Sequence, residues 1–207
     1  MAATSWLARL GSLTATYHPQ ADSQRLAVLD VGSVAHYRTF LERIYGFESA
    51  VELCASAIPL VADAATGARA RIGRLHQDLL ALGLTESWIA NLPHAFVPGR
   101  TASEALGYLF VVERNTLLAG LIRRTLAPRL HDSFPHARAY FDAHTDGGKH
   151  LREFGEAVTG SLTRKEVRPD AILAAARRAF DAQQAWYARA SRRDRRTTEQ
   201  SPQRRVS

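Results

Sequence analysis

Apolar residues recur at helical spacing along nearly the whole chain, and no stretch alternates convincingly enough to make a strand. Trp6, Leu7, Leu10, Leu13 and Tyr17 form the stripe of a first helix that meets His18-Pro19. Gly32 and Ser33 introduce a second, from about Val34 to Ala57, with Tyr37, Phe40, Leu41, Ile44, Phe47, Val51 and Cys54 on its apolar side. A third runs from about Ala68 to Leu82 and stops at Gly83; Ser87 to Leu92 is short, and Pro93 to Gly99 is a loop. Further helices are predicted over 135–145, 149–161 and 169–189, with Pro169 suited to a first turn and Gly147-Gly148 to a C-cap and turn. The expected fold is therefore all-α.

Ala105 to Ile122 departs from simple amphipathicity. Thr101 and Glu104 make a capping box before it, Pro128 follows it, and apolar residues almost surround it. It reads as one long helix through the core. At its centre stand Glu113, Arg114, Asn115 and Thr116. Buried polar groups need partners, so the segment implies an internal polar network or the wall of a ligand site. Glu113 and Arg114 project about 100° apart on a helix and each needs its own partner.

Composition narrows the field. A chain of 207 residues, 46% hydrophobic, can build one domain around a proper core. No apolar run is expected to cross a membrane, since Glu113 and Arg114 interrupt the longest. The start, MAATSWLARL, lacks the charged and apolar blocks of a secretory signal, so a cytoplasmic protein is expected. Cys54 is the only cysteine, which excludes an internal disulfide and cysteine-clustered metal sites. The net charge is +7, and residues 191–207 hold six Arg against Asp194 and Glu199. Removing that net +4 leaves +3 for the rest. The expected organisation is one helical domain over 1–190 and a basic, disordered tail over 191–207. Without aromatic interleaving, the tail gives no support for nucleic-acid binding.

No Walker A, G-x-S-x-G, H-E-x-x-H or dinucleotide-binding sequence is present. Instead, several segments together resemble the heme oxygenases, particularly the bacterial group found with bacteriophytochromes. Leu10, Thr14, His18 and Asp22 follow the L-x-x-x-T-x-x-x-H-x-x-x-E/D pattern around that family's proximal histidine. HYRTFLERIYGFESAVE is similar to its second helix, and LHQDLLALG to its L-x-x-D-L-x-x-L-G segment. GYLFVVERNTLLAGLI resembles the distal helix G-x-L-Y-V-x-E-G-S-T-L-G-G-x-x-I, and Phe141 to Phe154 a later helix pair. The likeness spans roughly residues 7–190.

It implies a single-domain, all-α fold holding heme, both substrate and cofactor, between a proximal and a distal helix. The implied activity is oxidative cleavage of heme to biliverdin, carbon monoxide and iron, with oxygen and electrons from an external ferredoxin or reductase. His18 would be the axial ligand of the heme iron, and Arg114, Asn115, Leu118 and Ala119 the distal residues facing heme. Lys149 and Arg152, after the Gly147-Gly148 turn, would contact the propionates. A bacteriophytochrome partner is expected from the same likeness; neither nucleic acid nor membrane is.

This chain departs from the pattern where the distal wall is thinnest. Arg114 stands at the first family glycine, and Leu118 and Ala119 at the later pair. Pro19 disfavours a helical His18, so one helix is expected to end at His18 and another to open at Pro19. Three readings remain open: an oxygenase with a remodelled pocket, a member of the fold that binds heme or a tetrapyrrole without cleaving it, and a heme-free interaction domain.

Overall fold

The computed structural model describes residues 6–30, 32–62, 66–130 and 132–199, the side chains of 62–70 and 190–199 excepted. It is all-α, with no strand among the described residues. The order is α1 (Trp6–Leu13), α2 (His18–Leu26), α3 (Val34–Ser56), α4 (Pro59–Ala62), α5 (Thr66–Ala81), α6 (Glu86–Ala90), α7 (Ala102–Asn115), α8 (Ala119–Leu126), α9 (Ala139–Ala143), α10 (Gly147–Thr163) and α11 (Pro169–Glu199).

Local chemistry sets most boundaries. Ser33 caps α3 by accepting from the His36 amide, and Thr85 caps α6 by accepting from the Trp88 amide. The Thr101–Glu104 capping box is formed in both directions at α7. Gly83, at φ 87°, follows the end of α5, a conformation glycine adopts without a Cβ penalty.

Four boundaries differ from the sequence expectation. The long central helix is two helices, α7 and α8, joined by a 3₁₀ turn over Thr116–Leu118. The Thr116 hydroxyl donates back to the Glu113 carbonyl at 2.7 Å, a bond that competes with the helical ladder and bends it. His18 does not end a helix. At φ −61° and ψ −44° it opens α2 directly after a 3₁₀ turn over Ala15–Tyr17, and Pro19 falls in the first turn, where no intrahelical N–H bond is lost. Gly147 and Gly148 likewise begin α10, with the Asp146 side chain capping the Lys149 amide. Finally, the α11 backbone stays helical to Glu199, past the boundary expected near Arg189. Of the tail expected over 191–207, residues 200–207 lie outside the described residues.

α7 runs through the middle, packed chiefly against α11 and also against α3 and α10. Gly107 sets the α7–α11 spacing: a Cβ there would stand 2.5 Å from the Ala175 Cβ and 2.6 Å from the Ile172 carbonyl oxygen. Ala102–Leu126 is long and apolar enough to cross a membrane by length and composition, contrary to expectation, but 78% of its apolar window is buried inside the protein. It serves as a core element.

The core is double. One apolar cluster includes Phe47 and Val51 of α3, Leu106 to Val112 of α7, and Ile172 to Phe180 of α11. The other includes Tyr37, Leu41 and Ile44 of α3, Leu75 and Leu79 of α5, Ile122 and Leu126 of α8, and Tyr140 and Phe141 of α9. Along α3, α5 and α7 the change from one cluster to the other, or the end of one, comes at Glu48, at Arg71 and at Glu113 to Thr116. A polar layer therefore lies between two apolar halves.

Candidate functional site

Each helix that enters this layer contributes a polar residue where its apolar stripe would otherwise continue. Glu48 sits four residues beyond Ile44 on the buried side of α3, and Arg71 four before Leu75 on α5. That register, a charge on an apolar face, was the available signal for both, and neither was singled out from the sequence.

The partners come from distant segments. Arg71 donates to Glu113 at 2.7 Å, with both side chains buried. Arg25 of α2 donates to Glu48 at 3.3 Å and to the Tyr140 hydroxyl at 2.7 Å; Tyr140 in turn donates to the same Glu48 oxygen at 2.9 Å. Burial raises the Glu48 carboxyl above its ordinary range, against the pull of Arg25 and Arg71, and raises the Tyr140 phenol too. Asn115 donates to Gln183 of α11 at 2.8 Å. Glu113 and Arg114 thus find separate partners, as their helical spacing requires.

Arg114 carries the link to the N-terminal motif. Its two terminal nitrogens reach the two Asp22 oxygens at 2.7 and 2.9 Å, a bidentate fork that fixes geometry as well as charge. Asp22 lies one turn beyond His18 on α2, so the bridge ties the histidine's own helix to α7. His18 Nε2 is 3.1 Å from the Thr14 hydroxyl oxygen, and its ring lies 5.7 Å from that of Phe180. Burial, then Arg114, lower its pKa, with Asp22 opposing. Its neutral form prevails at pH 7.

The structure brings His18 and Arg114 into one neighbourhood but separates the other residues expected at a heme face. Asn115 is bonded to α11. Ala119 is buried in the second apolar cluster, and Leu118 packs against it. Lys149 is exposed and paired with Glu153 one turn along α10 at 3.8 Å, and Arg152 is exposed on the same helix. Gly147 abuts the kink: a Cβ there would lie 2.5 Å from the Thr116 carbonyl oxygen. The one glycine kept from the distal pattern's start, Gly107, receives α11.

Two further groups of the layer were missed in the sequence. Asp78 accepts from the Ala139 and Tyr140 amides at 2.7 and 2.9 Å, capping α9 from α5. Burial outweighs those bonds and pushes its carboxyl up to about 6. His144 is 4% exposed, and neither ring nitrogen has a hydrogen-bond partner among the described residues. Burial first, then Arg71, hold its pKa down to about 3. Its ring is 5.0 Å from that of Tyr140 and 5.5 Å from that of His150. Among the described residues, no group of His, Cys, Asp and Glu is arranged to hold a metal ion.

Comparison with protein-family models finds no match to this chain, and comparison with curated proteins finds none.

Proposed function

We propose that this chain is a non-catalytic member of the heme-oxygenase-like class, a helical binding module that does not open the porphyrin ring. The Arg114–Asp22 bridge carries the reading. The family likeness places a macrocycle between the helix of His18 and the helix of Arg114, and these two helices are clamped by a two-bond ion pair.

The residues present do not fit heme in that arrangement. Arg114 replaces a glycine whose bare backbone would face the ring, and its guanidinium spans to α2 instead. The His18 nitrogen within reach of Thr14 is engaged with that hydroxyl. Ala119 lies in the apolar core rather than on a cavity wall. Opening the space would strip Arg114, which is 8% exposed, of its partner Asp22 and leave a largely buried charge uncompensated, which is unfavourable.

A second reading, a working oxygenase with a remodelled pocket, draws on the Thr14, His18 and Asp22 motif. A neutral His18 beside the clamp is the state an iron ligand requires. Heme and external electrons would be its requirements.

Titration of the purified chain with hemin, followed by optical spectra, separates the two. The expected result is no saturable Soret band that depends on His18, and no biliverdin absorbance after ascorbate or reduced ferredoxin is added under oxygen. A stoichiometric Soret band lost in His18→Ala, followed by biliverdin formation, would establish the oxygenase reading in its place. Arg114→Gly tests the clamp itself. Hemin binding gained in that variant alone identifies Arg114 as the obstacle.

A further inference from the structure

At the opposite end of α7 from Arg114, roughly 20 Å along the helix axis, lies a cavity of about 830 Å³. Its floor is a face of α3. Ala50, Leu53, Cys54 and Ala57 lie at i, i+3, i+4 and i+7, with Ile72 of α5 beside them. The facing wall is the extended segment 94–100, in which Ala95, Val97 and Gly99 are half-buried and His94, Phe96 and Arg100 are exposed at the rim. Two bonds hold this wall: the Ala95 amide donates to the Gly46 carbonyl at 2.8 Å, and the Cys54 thiol to the Gly99 carbonyl at 3.1 Å. The cleft is therefore built before any ligand arrives.

Its chemistry is more apolar than its residue names suggest. The Ser49 hydroxyl donates to the Tyr45 carbonyl and the Ser56 hydroxyl to the Leu53 carbonyl, as the Cys54 thiol does to Gly99. Those donors are occupied, so between the charged groups of the lining the α3 face presents mostly carbon. Leu53 is 74% exposed and Phe96 84%, a rim of large apolar side chains over an unfilled cleft.

Charge selects the head group. The guanidinium of Arg100 is in no ion pair among the described residues, and its neighbour Glu104 is spent on the Thr101 cap and on Arg178 at 3.1 Å. Glu52, the acidic group of the lining, is engaged within the fold.

We infer that this cleft binds a long-chain carboxylate, its hydrocarbon along the α3 floor and its carboxylate at Arg100. The volume lies within the range of small-molecule sites, which are apolar clefts with a few placed polar groups. The site shares no residue with the Arg114–Asp22 clamp, so the result below is independent of the hemin titration.

The test is titration of the full chain with cis-parinarate, a fluorescent long-chain fatty acid. The expected result is a saturable rise at one probe per chain, reversed by palmitate and much less by hexadecanol, which lacks the charge. Arg100→Gln should weaken binding roughly tenfold, the loss of one charge-assisted contact. Ala57→Trp should fill the floor and abolish binding, and the exposed Leu53→Asp should do so without disturbing the fold. Absence of a saturable rise would overturn the inference, as would binding left unchanged by all three variants. So would a concentration-dependent dimer that Leu53→Asp disperses while the probe fails to bind, since the cleft would then serve a second copy of the chain.

Discussion

The polar layer and the α3 cleft answer opposite problems of burial. In the layer, charged side chains are matched across helices: the buried pairs Arg71 with Glu113 and Arg25 with Glu48, and Arg114 with the half-buried Asp22. In the cleft, apolar side chains remain at the surface, while nearby hydroxyls and the thiol turn back onto their own backbone. The layer ties helices to one another through these pairs, although Arg25 Nε, Glu48 Oε2 and one terminal nitrogen of Arg71 are buried with no hydrogen bond among the described residues. The cleft fixes little of the fold and leaves surface for something else. A residue's polarity is thus a poor guide to where a ligand belongs in this chain: the charged interior is largely occupied by itself, and the apolar exterior is unfilled.

The widest separation between the two regions should come from breaking a buried pair. Glu113→Ala leaves Arg71 charged and unpaired, and should lower unfolding stability by about 3–5 kcal/mol in urea. Replacing both, as Arg71→Met with Glu113→Leu, should recover most of that loss. Comparable loss from Leu53→Asp in the cleft would erase the contrast, since an exposed change of that kind normally stays within about 0.5 kcal/mol.

Gly107→Ala comes next. Its new methyl group meets the backbone of α11 at Ile172 and Ala176, and neither can turn aside as a flexible side chain would. A loss of about 1–3 kcal/mol is expected by thermal or urea unfolding. No loss would mean that α7 and α11 slide apart freely.

The layer should also reveal itself through pH. His144 titrates at about 3 in the fold, below its ordinary 6.5, so its contribution to stability is complete above pH 6.5 and is lost as pH falls towards 3. Asp78 titrates at about 6, above its ordinary 3.8, so its contribution is complete below pH 3.8 and is lost as pH rises through 6. Between pH 4 and 6 the two oppose, each by about 1.4 kcal/mol per pH unit. Removing one exposes the other. Relative to the unmodified chain, His144→Phe should gain about 3 kcal/mol as pH drops from 6.5 to 4, and Asp78→Asn should lose about 2–3 kcal/mol from 6 to 4. Parallel stability–pH curves for all three proteins would contradict both shifts.

Local features were legible in the sequence because local chemistry decides them. The Thr101–Glu104 box and the Ser33 cap fall where side chains bond within a few residues of their own backbone, and the stop before Gly83 and the first-turn Pro169 follow from those residues' own backbone preferences. The need for separate partners at Glu113 and Arg114 followed from helical geometry. Their identities did not, because Arg71 and Asp22 lie 42 and 92 residues away. The break at Thr116 escaped an apolar pattern that continues across it, and it is set by a hydroxyl and by the approach of Gly147. Gly147 was expected in a C-cap and turn, and it instead opens α10, where it packs against Thr116. The expected heme face grouped Arg114, Asn115, Leu118 and Ala119 by their likeness to a distal-helix pattern, and across the kink they meet different partners.

The most direct measurement of the clamp between α2 and α7 is a double-mutant cycle on Arg114→Ala and Asp22→Ala, read by urea unfolding at neutral pH. A coupling of about 1–3 kcal/mol is predicted, with the double variant losing clearly less than the sum of the two singles. Losses that add to within about 0.3 kcal/mol would mean that the two side chains do not hold these helices together, and the case for a closed macrocycle space would fall with them.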